Sequence, residues 1–296
     1  MEKQCALKLR QFAPELAAEE AKAVCYALKL NNQSDLTNGT VDLMSGAKEI
    51  VYEFKAPGWV LLSVTSKWKG ADGKAVTICA GAMCEPEKIR PGEKIPADFQ
   101  AFWDQKKKLL DVMPFEPELT PVTNMTNDKV ETYAIVLKNI NGTKIRGFFA
   151  KPKGAGKFPA FMEVNPAGVY SINPGFVFKC ATKGVMAIHI NAHDILNGQP
   201  KEYYEQLDIK VKGYAHRGRN SREESYFLRM FCACYRAAQY LTGWEEWDGK
   251  HFVVYGSSMG GGQAFVTASL CAKVTAFAAN VPALCDHGGR EAGRCR

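Results

Sequence analysis

The sequence predicts an α/β protein: a largely parallel sheet with helices packed on it, preceded by a smaller all-β module. Two observations carry that reading. Four short, strongly apolar runs, FPAFMEV (158–164), GVMAIHI (184–190), HFVVYG (251–256) and VTAFAANV (274–281), are separated by helical stretches. Runs of this kind suit strands buried on both faces, as in a parallel sheet. Upstream, from Val24 to Cys84, runs rich in Val, Ile, Tyr and Trp recur about every ten residues between turn signals, the pattern of a small antiparallel sandwich of Ig-like kind. Residues 1–90 are accordingly assigned to the β module and 91–296 to the α/β domain.

Residues 1 to about 22 are dominated by Ala, Leu and Glu and predict a short leading helix with Pro14 as an early interruption. VCYALKL, EIVYEF, WVLLSVTSKW and VTICAGAMC then read as strands, with TNGT (37–40), APG and ADGK between them as turns. Asp72-Gly73 is the sharpest turn signal, because glycine tolerates the positive φ of a tight hairpin. EPEKIRPGEKIPADF (85–99), with its three prolines, is a linker. The helix after it has Asp98 near its start, Phe99, Phe102, Trp103 and Leu110 on one stripe, and Met113-Pro114 as its stop. ETYAIVLKN and KIRGFFAKP form a hairpin turned at Asn141-Gly142. The best-marked helix of the second domain begins at Ser221, where Ser221 and Glu224 make a capping-box pattern. Its stripe is Phe227, Met230, Phe231, Cys234, Ala238 and Leu241, and Gly243 ends it. Strand–helix–strand alternation implies right-handed crossovers.

Composition narrows the function classes. Apolar residues at 46% and charged residues at 23% exclude a disordered, collagen-like or coiled-coil body. A net charge of +7 is too dilute for an obligate nucleic-acid binder. No apolar run approaches the roughly 18 residues of a membrane-spanning helix. The first twenty residues are too often charged for a signal peptide, which makes the cytoplasm the default compartment. Ten cysteines lie scattered without a C-x-x-C pair; they read as buried free thiols, and neither a metal nor another cofactor is implied. Lys210, Lys212, Arg217, Arg219 and Arg222 make a local basic stretch that reads as a solvated loop.

The chemistry lies in Gly256-Ser257-Ser258-Met259-Gly260, between a buried strand and a helix-compatible run. This is G-x-S-x-G in the strand–turn–helix setting of a nucleophile elbow. The bend forces the serine into a strained backbone conformation, so Gly256 and Gly260 stand where a side chain would clash. Ser258 is then the nucleophile above the sheet, and the Met259 N–H faces the same space as an oxyanion donor. A second donor comes from the loop after FPAFMEV, Asn165 to Tyr170, with the Val169 N–H preferred. A phosphate-binding loop is disfavoured, since G-x-x-x-x-G-K is absent.

GSSMGGGQAF, followed by NVPALCD (280–286), and PADFQAFW (96–103) resemble the acetyl xylan esterase and cephalosporin-C deacetylase family of α/β-hydrolases, over about residues 86–296. The β module is similar to an extra N-terminal domain that some members carry. The resemblance implies an α/β-hydrolase sheet and metal-free removal of acetyl groups from xylo-oligosaccharides and related small esters, by enzymes that can be secreted. Three departures stand out. Met259 replaces the family's Gln, Val169 sits where the family tends to place a Tyr, and Asn191-Ala192-His193-Asp194 stands where members carry Arg-Gly-Gln.

A fourth departure concerns the ending. The triad order in this fold is serine, acid, histidine, and the resemblance places both partners roughly 70 to 130 residues beyond the nucleophile. Only 38 residues follow Ser258. The expectation is a C-terminally incomplete esterase, its acid and histidine beyond Arg296 and its sheet lacking the last strands. The strand at 274–281 would then present an unpaired apolar edge. Within the chain, Asp286 is the candidate substitute acid and His193 a candidate pocket residue. His189 reads as a core residue, His287 would have to swing onto Ser258 from a short tail, and His216 and His251 are poor candidates. Two rivals remain open: a serine peptidase of the prolyl-oligopeptidase type, which shares G-x-S-x-G-G, and a non-catalytic carbohydrate-binding remnant. PALCD and FQAFW favour the esterase.

Overall fold

The computed structural model describes residues 3–9, 24–45 and 47–294. The chain divides into two compact units, Met1–Ile95 with Asp286–Arg296, and Pro96–Cys285.

In the first unit, β1 (Lys3–Leu9) pairs antiparallel with β4 (Lys48–Phe54). The strands β2 (Val24–Leu30), β3 (Ser34–Val41), β5 (Gly58–Lys69) and β6 (Ala75–Cys84) form an antiparallel sheet in the order β3-β2-β5-β6. Alternate residues of both sheets, among them Leu28, Val60 and Leu62 of the larger and Ile50 and Phe54 of the smaller, share one core. The β5–β6 hairpin turns at Asp72-Gly73, with Gly73 at φ 75°. Two expectations are corrected. Lys3–Leu9 is a strand, not a helix: Cys5 and Leu7 alternate onto the shared core, and pairing with β4 overrides the helical propensity. The rest of the expected leading helix, residues 10–23, lies outside the described residues. TNGT lies inside β3, and the preceding turn is made instead by Asn31 and Asn32 at φ 50° and 52°. Asparagine is among the few non-glycine residues that tolerate that region.

The second unit is built on a seven-stranded mixed sheet. Its strands are β7 (Glu118–Pro121), β8 (Val130–Lys138), β9 (Lys144–Pro152), β10 (Phe158–Val164), β11 (Met186–Ile190), β12 (Trp247–Ser257) and β13 (Ala276–Asn280), in the order β13-β12-β10-β11-β9-β8-β7. β10 to β13 run parallel and β7 to β9 antiparallel. The helices are α1 (Phe99–Asp111), α2 (Gly175–Ala181), α3 (Lys201–Val211), α4 (Tyr226–Leu241) and α5 (Met259–Leu270). The period-two alternation of the strands sorts their side chains. Met162, Val164, Ile188 and Ile190 pack with α4 and α5, while Ala187 and Ala150 pack with α2. Covered on both faces, β11 is buried along its whole length, which is why it reads as a continuous apolar run. β13 lies at one edge of the sheet, with Phe277 42% exposed. No helix among the described residues is long and apolar enough to cross a membrane.

The capping box at Ser221 is not used. The Ser221 carbonyl instead accepts the N–H groups of Glu224 and Ser225 in a turn, and α4 starts at Tyr226. Nor is α4 one-sided. It is buried almost all round and carries Arg236, 1% exposed, which donates to the carbonyls of Leu110, Met113 and Pro114 at 2.9–3.1 Å. Those carbonyls close the C-terminal end of α1, so the buried charge caps one helix from the interior of another. The nine described cysteines are all free, but only Cys84, Cys232, Cys234 and Cys271 are buried; Cys25, Cys79 and Cys285 are exposed.

Because β10 to β13 are parallel and in register at Val164–Ile190, Val164–Gly256 and Ser257–Asn280, the loops that follow them all emerge at one end of the sheet. This carboxyl end is where open α/β sheets place their sites.

Candidate active site

Ser258 sits between the end of β12 and the start of α5 with φ 55° and ψ −120°. A non-glycine residue here is strained, at a cost of about 1–3 kcal/mol, and persists only if its surroundings hold it. The Ser258 N–H donates to the Asn280 carbonyl at 2.9 Å, and its own carbonyl accepts from Ala283 at 2.8 Å and Gly262 at 3.2 Å. The bend therefore leans on the segment after β13, which explains why GSSMGGG and NVPA occur together.

The glycines are required by contact. A Cβ on Gly256 would lie 2.2 Å from the Gly260 carbonyl oxygen, and one on Gly260 would lie 2.4 Å from that of Val164. Gly261 and Gly262 face Pro282 and the Ala283 carbonyl equally closely, at 2.9 and 2.5 Å. Ser258 is half-buried, and its Oγ has no hydrogen-bond partner among the described residues. Met259, as the first residue of α5, has an N–H without an intrahelical partner, at the positive end of the helix dipole.

The loop from Asn165 to Tyr170 abuts this bend and is pinned along its length. Buried Gln263 of α5 donates to the Asn165 carbonyl at 3.0 Å. His189 Nε2 donates to Asn165 Oδ1 at 2.5 Å, with the Glu163 carboxyl 3.4 Å from its Nδ1. Tyr170 donates its hydroxyl to the Pro166 carbonyl at 3.0 Å, and Asn191 Nδ2 donates to the Tyr170 carbonyl at 2.9 Å. The half-buried Val169 has no partner for its N–H among the described residues. Tyr214 reaches across to Met259, its hydroxyl 3.2 Å from Sδ.

The other named residues fall as follows. His193 is 1% exposed and uses both ring nitrogens, Nδ1 with the Tyr226 hydroxyl at 2.7 Å and Nε2 with the Gly168 carbonyl at 3.1 Å. Burial drives its pKa down to about 4, helped by the nearby Arg229 charge; burial alone drives His189 to about 4. Both are therefore neutral near pH 7. Asp286 belongs to the first unit. There it accepts from the Gly92 N–H at 2.8 Å and pairs with Arg294 at 2.7 Å, and Arg294 first, then the Gly92 bond, hold its pKa below the usual carboxylate range. His216 and His287 are exposed, and His251 pairs with Asp248 at the other end of β12. None of the chain's five histidines bonds Ser258 Oγ.

Hollows of this unit occur away from Ser258. One of about 680 Å³, lined by Phe115, Lys157, Tyr240, Trp244 and Glu246, opens where β10 begins, at the opposite end of the sheet from Ser258. The strained serine, not the size of a hollow, marks the candidate site. Sequence reading missed Gln263, Asn165 with His189, and the Tyr214–Tyr226 pair.

Comparison with known proteins bears on the family and the fold. The acetyl xylan esterase family profile matches residues 81–290. The acetyl esterase Axe7A of Xylanibacter ruminicola is 34% identical over 271 residues, which make up 90% of this chain and 60% of that protein. The chain thus spans about 60% of the length of that relative. Among solved structures, an acetyl xylan esterase from a Paenibacillus species superposes with a TM-score of 0.55 at 24% identity, over 69% of this chain and 65% of that one. Acetyl xylan esterase 1 from a Thermoanaerobacterium species does so with a TM-score of 0.55 at 20% identity, over 64% and 60%. The two structures share the fold. With the profile covering well over half of the residues, and 34% identity to that relative along nine-tenths of this chain, the chain belongs to the acetyl xylan esterase family.

Proposed function

We propose that this chain carries the nucleophile and oxyanion machinery of a serine esterase that removes acetyl groups from xylo-oligosaccharides or similar acetylated carbohydrates. The observation that carries the reading is the backbone of Ser258, held at positive φ between strand and helix by four sterically required glycines and by the segment after β13. Ser258 Oγ attacks the acetyl carbonyl carbon, a general base takes the hydroxyl proton, and the Met259 and Val169 N–H groups receive the negative oxygen. Collapse of the tetrahedral intermediate expels the sugar alcohol. Water then attacks the acyl-enzyme, releasing acetate and restoring the hydroxyl. We assign the base to none of the five histidines, since none of them bonds Ser258 Oγ.

The test is covalent. A fluorophosphonate should add its phosphonyl mass to the peptide containing Ser258, and 4-nitrophenyl acetate turnover should vanish with that labelling in Ser258→Ala. Turnover that survives Ser258→Ala, or labelling at another serine, would refute the assignment.

A further inference from the structure

We propose that His193 is a positioning residue that locks the orientation of the peptide between Gly168 and Val169, and with it the second oxyanion donor; this rests on the esterase reading above. The Gly168 carbonyl and the Val169 N–H belong to one planar peptide unit. The described chain has no cis peptide bonds, so the two groups point in opposite directions. Whatever holds the carbonyl therefore aims the amide. His193 Nε2 holds that carbonyl at 3.1 Å from a fully buried position behind the loop.

The lock has a fixed direction. Arg229 can only donate, and its Nη2 gives one hydrogen bond to the Ala192 carbonyl at 2.7 Å and another to the Tyr226 hydroxyl at 3.1 Å. The hydroxyl, accepting from Arg229, turns its own proton to His193 Nδ1 at 2.7 Å. Nδ1 is then the acceptor, Nε2 carries the hydrogen, and the Gly168 carbonyl, which can only accept, ends the chain. A guanidinium at one end and a carbonyl at the other leave a single tautomer that satisfies every bond. Neutral imidazole is the form the chain needs, and burial beside Arg229 maintains it.

The peptide needs a lock because Gly168 gives it little stiffness. Gly168 sits at φ 125°, where only glycine is comfortable, and a residue so free can turn its following peptide at small cost. Asn191 completes the clamp: it holds the Tyr170 carbonyl on one side and accepts the His193 N–H at 3.0 Å on the other. The segment Asn191 to His193 thus holds the carbonyls of Gly168 and Tyr170, the residues on either side of Val169.

The experiment compares His193→Phe, which keeps the ring volume and removes the donor, with His193→Gln, whose amide nitrogen can reach the place of Nε2. For 4-nitrophenyl acetate, His193→Phe should lose about 10- to 100-fold in kcat with little change in KM, as expected when one oxyanion donor is misdirected. His193→Gln should recover most of that loss. A crystal structure of His193→Phe should show the Gly168–Val169 peptide turned over. An unturned peptide, a wild-type kcat in the folded variant, or equal losses in the Phe and Gln variants would overturn the lock. If His193→Phe does not fold, Tyr226→Phe serves: freeing Nδ1 should lower kcat several-fold at constant KM, and an unchanged kcat would overturn it. Should Ser258→Ala leave turnover intact, the esterase reading fails, and the orientation of the peptide in the variant structure still decides for or against the lock.

Discussion

The two ends of the parallel strands in the second unit treat polar groups in opposite ways. At the end where β12 begins, the polar contact is an ion pair near solvent: His251 with Asp248 at 2.7 Å, the histidine side chain 70% exposed. At the end where the parallel strands finish, Asn165, His189, Asn191, His193 and Gln263 are buried, each with a named partner. A surface pair is solvated whether or not it forms and is worth little. A buried polar group that loses its partner costs its full desolvation. Order at the carboxyl end is therefore enforced, and that is where a serine can be kept in a conformation it would otherwise leave.

The largest contrast should come from Ser258→Ala, which removes the proposed nucleophile and should abolish both fluorophosphonate labelling and acetyl-ester turnover, read by intact-mass spectrometry and absorbance. Next comes Gly256→Ala. Its Cβ would be 2.2 Å from the backbone oxygen of Gly260, a clash that only a shift of β12 or α5 relieves. It should cost about 3 kcal/mol or more of folding stability, at the upper end for single substitutions, measured as a fall in the urea midpoint. A midpoint within error of wild type would show that the bend is looser than its contacts indicate.

Acid should act through the buried histidines. His189 and His193 have pKa values near 4 in the folded unit, below the ordinary value of 6.5 that they regain on unfolding. Between these values the unfolded chain binds more protons, so stability is complete above about pH 6.5 and falls as the pH drops toward 4. The loss has a ceiling of about 3 kcal/mol per histidine. Urea melts at pH 7 and pH 4.5 should show it, and His189→Asn should flatten the slope. The smallest effect belongs to the other end of the sheet: His251→Ala should change stability by less than about 0.5 kcal/mol and leave labelling of Ser258 unchanged. A larger effect there would erase the distinction between the two ends.

Much of the scaffold was legible because its signals are local. FPAFMEV corresponds to β10 residue for residue, the Asn141-Gly142 hairpin joins β8 and β9, and glycine spacing marked the elbow. The misreadings arose where a distant partner outvoted a local preference. Lys3–Leu9 has helix-favouring neighbours but pairs with β4, more than forty residues away. Ser221 and Glu224 fit a capping box, yet the chain spends them in a turn ahead of α4. Of the stripe expected on α4, Met230, Cys234, Ala238 and Leu241 are buried and Phe227 and Phe231 only half so, while Leu228, Cys232, Arg236 and others outside it are buried too, because α4 is packed on several sides at once. His193 was visible as an unusual residue after a strand, but its partners Gly168 and Tyr226 lie 25 and 33 residues away, and no spacing rule connects them.

What the sequence determined unaided is the run of buried strands in the second unit and the position of the bend, since strand alternation, turn chemistry and the absence of side chains at Gly256 and Gly260 act over a few residues. Only the tertiary structure decided which polar groups are buried against which. It is the parallel register of β10, β11 and β12 that carries Asn165, His193 and Ser258, separated by scores of residues, to one end of one sheet, where exclusion of water makes the hydrogen bonds of buried Asn165 and His193 to their own neighbours obligatory.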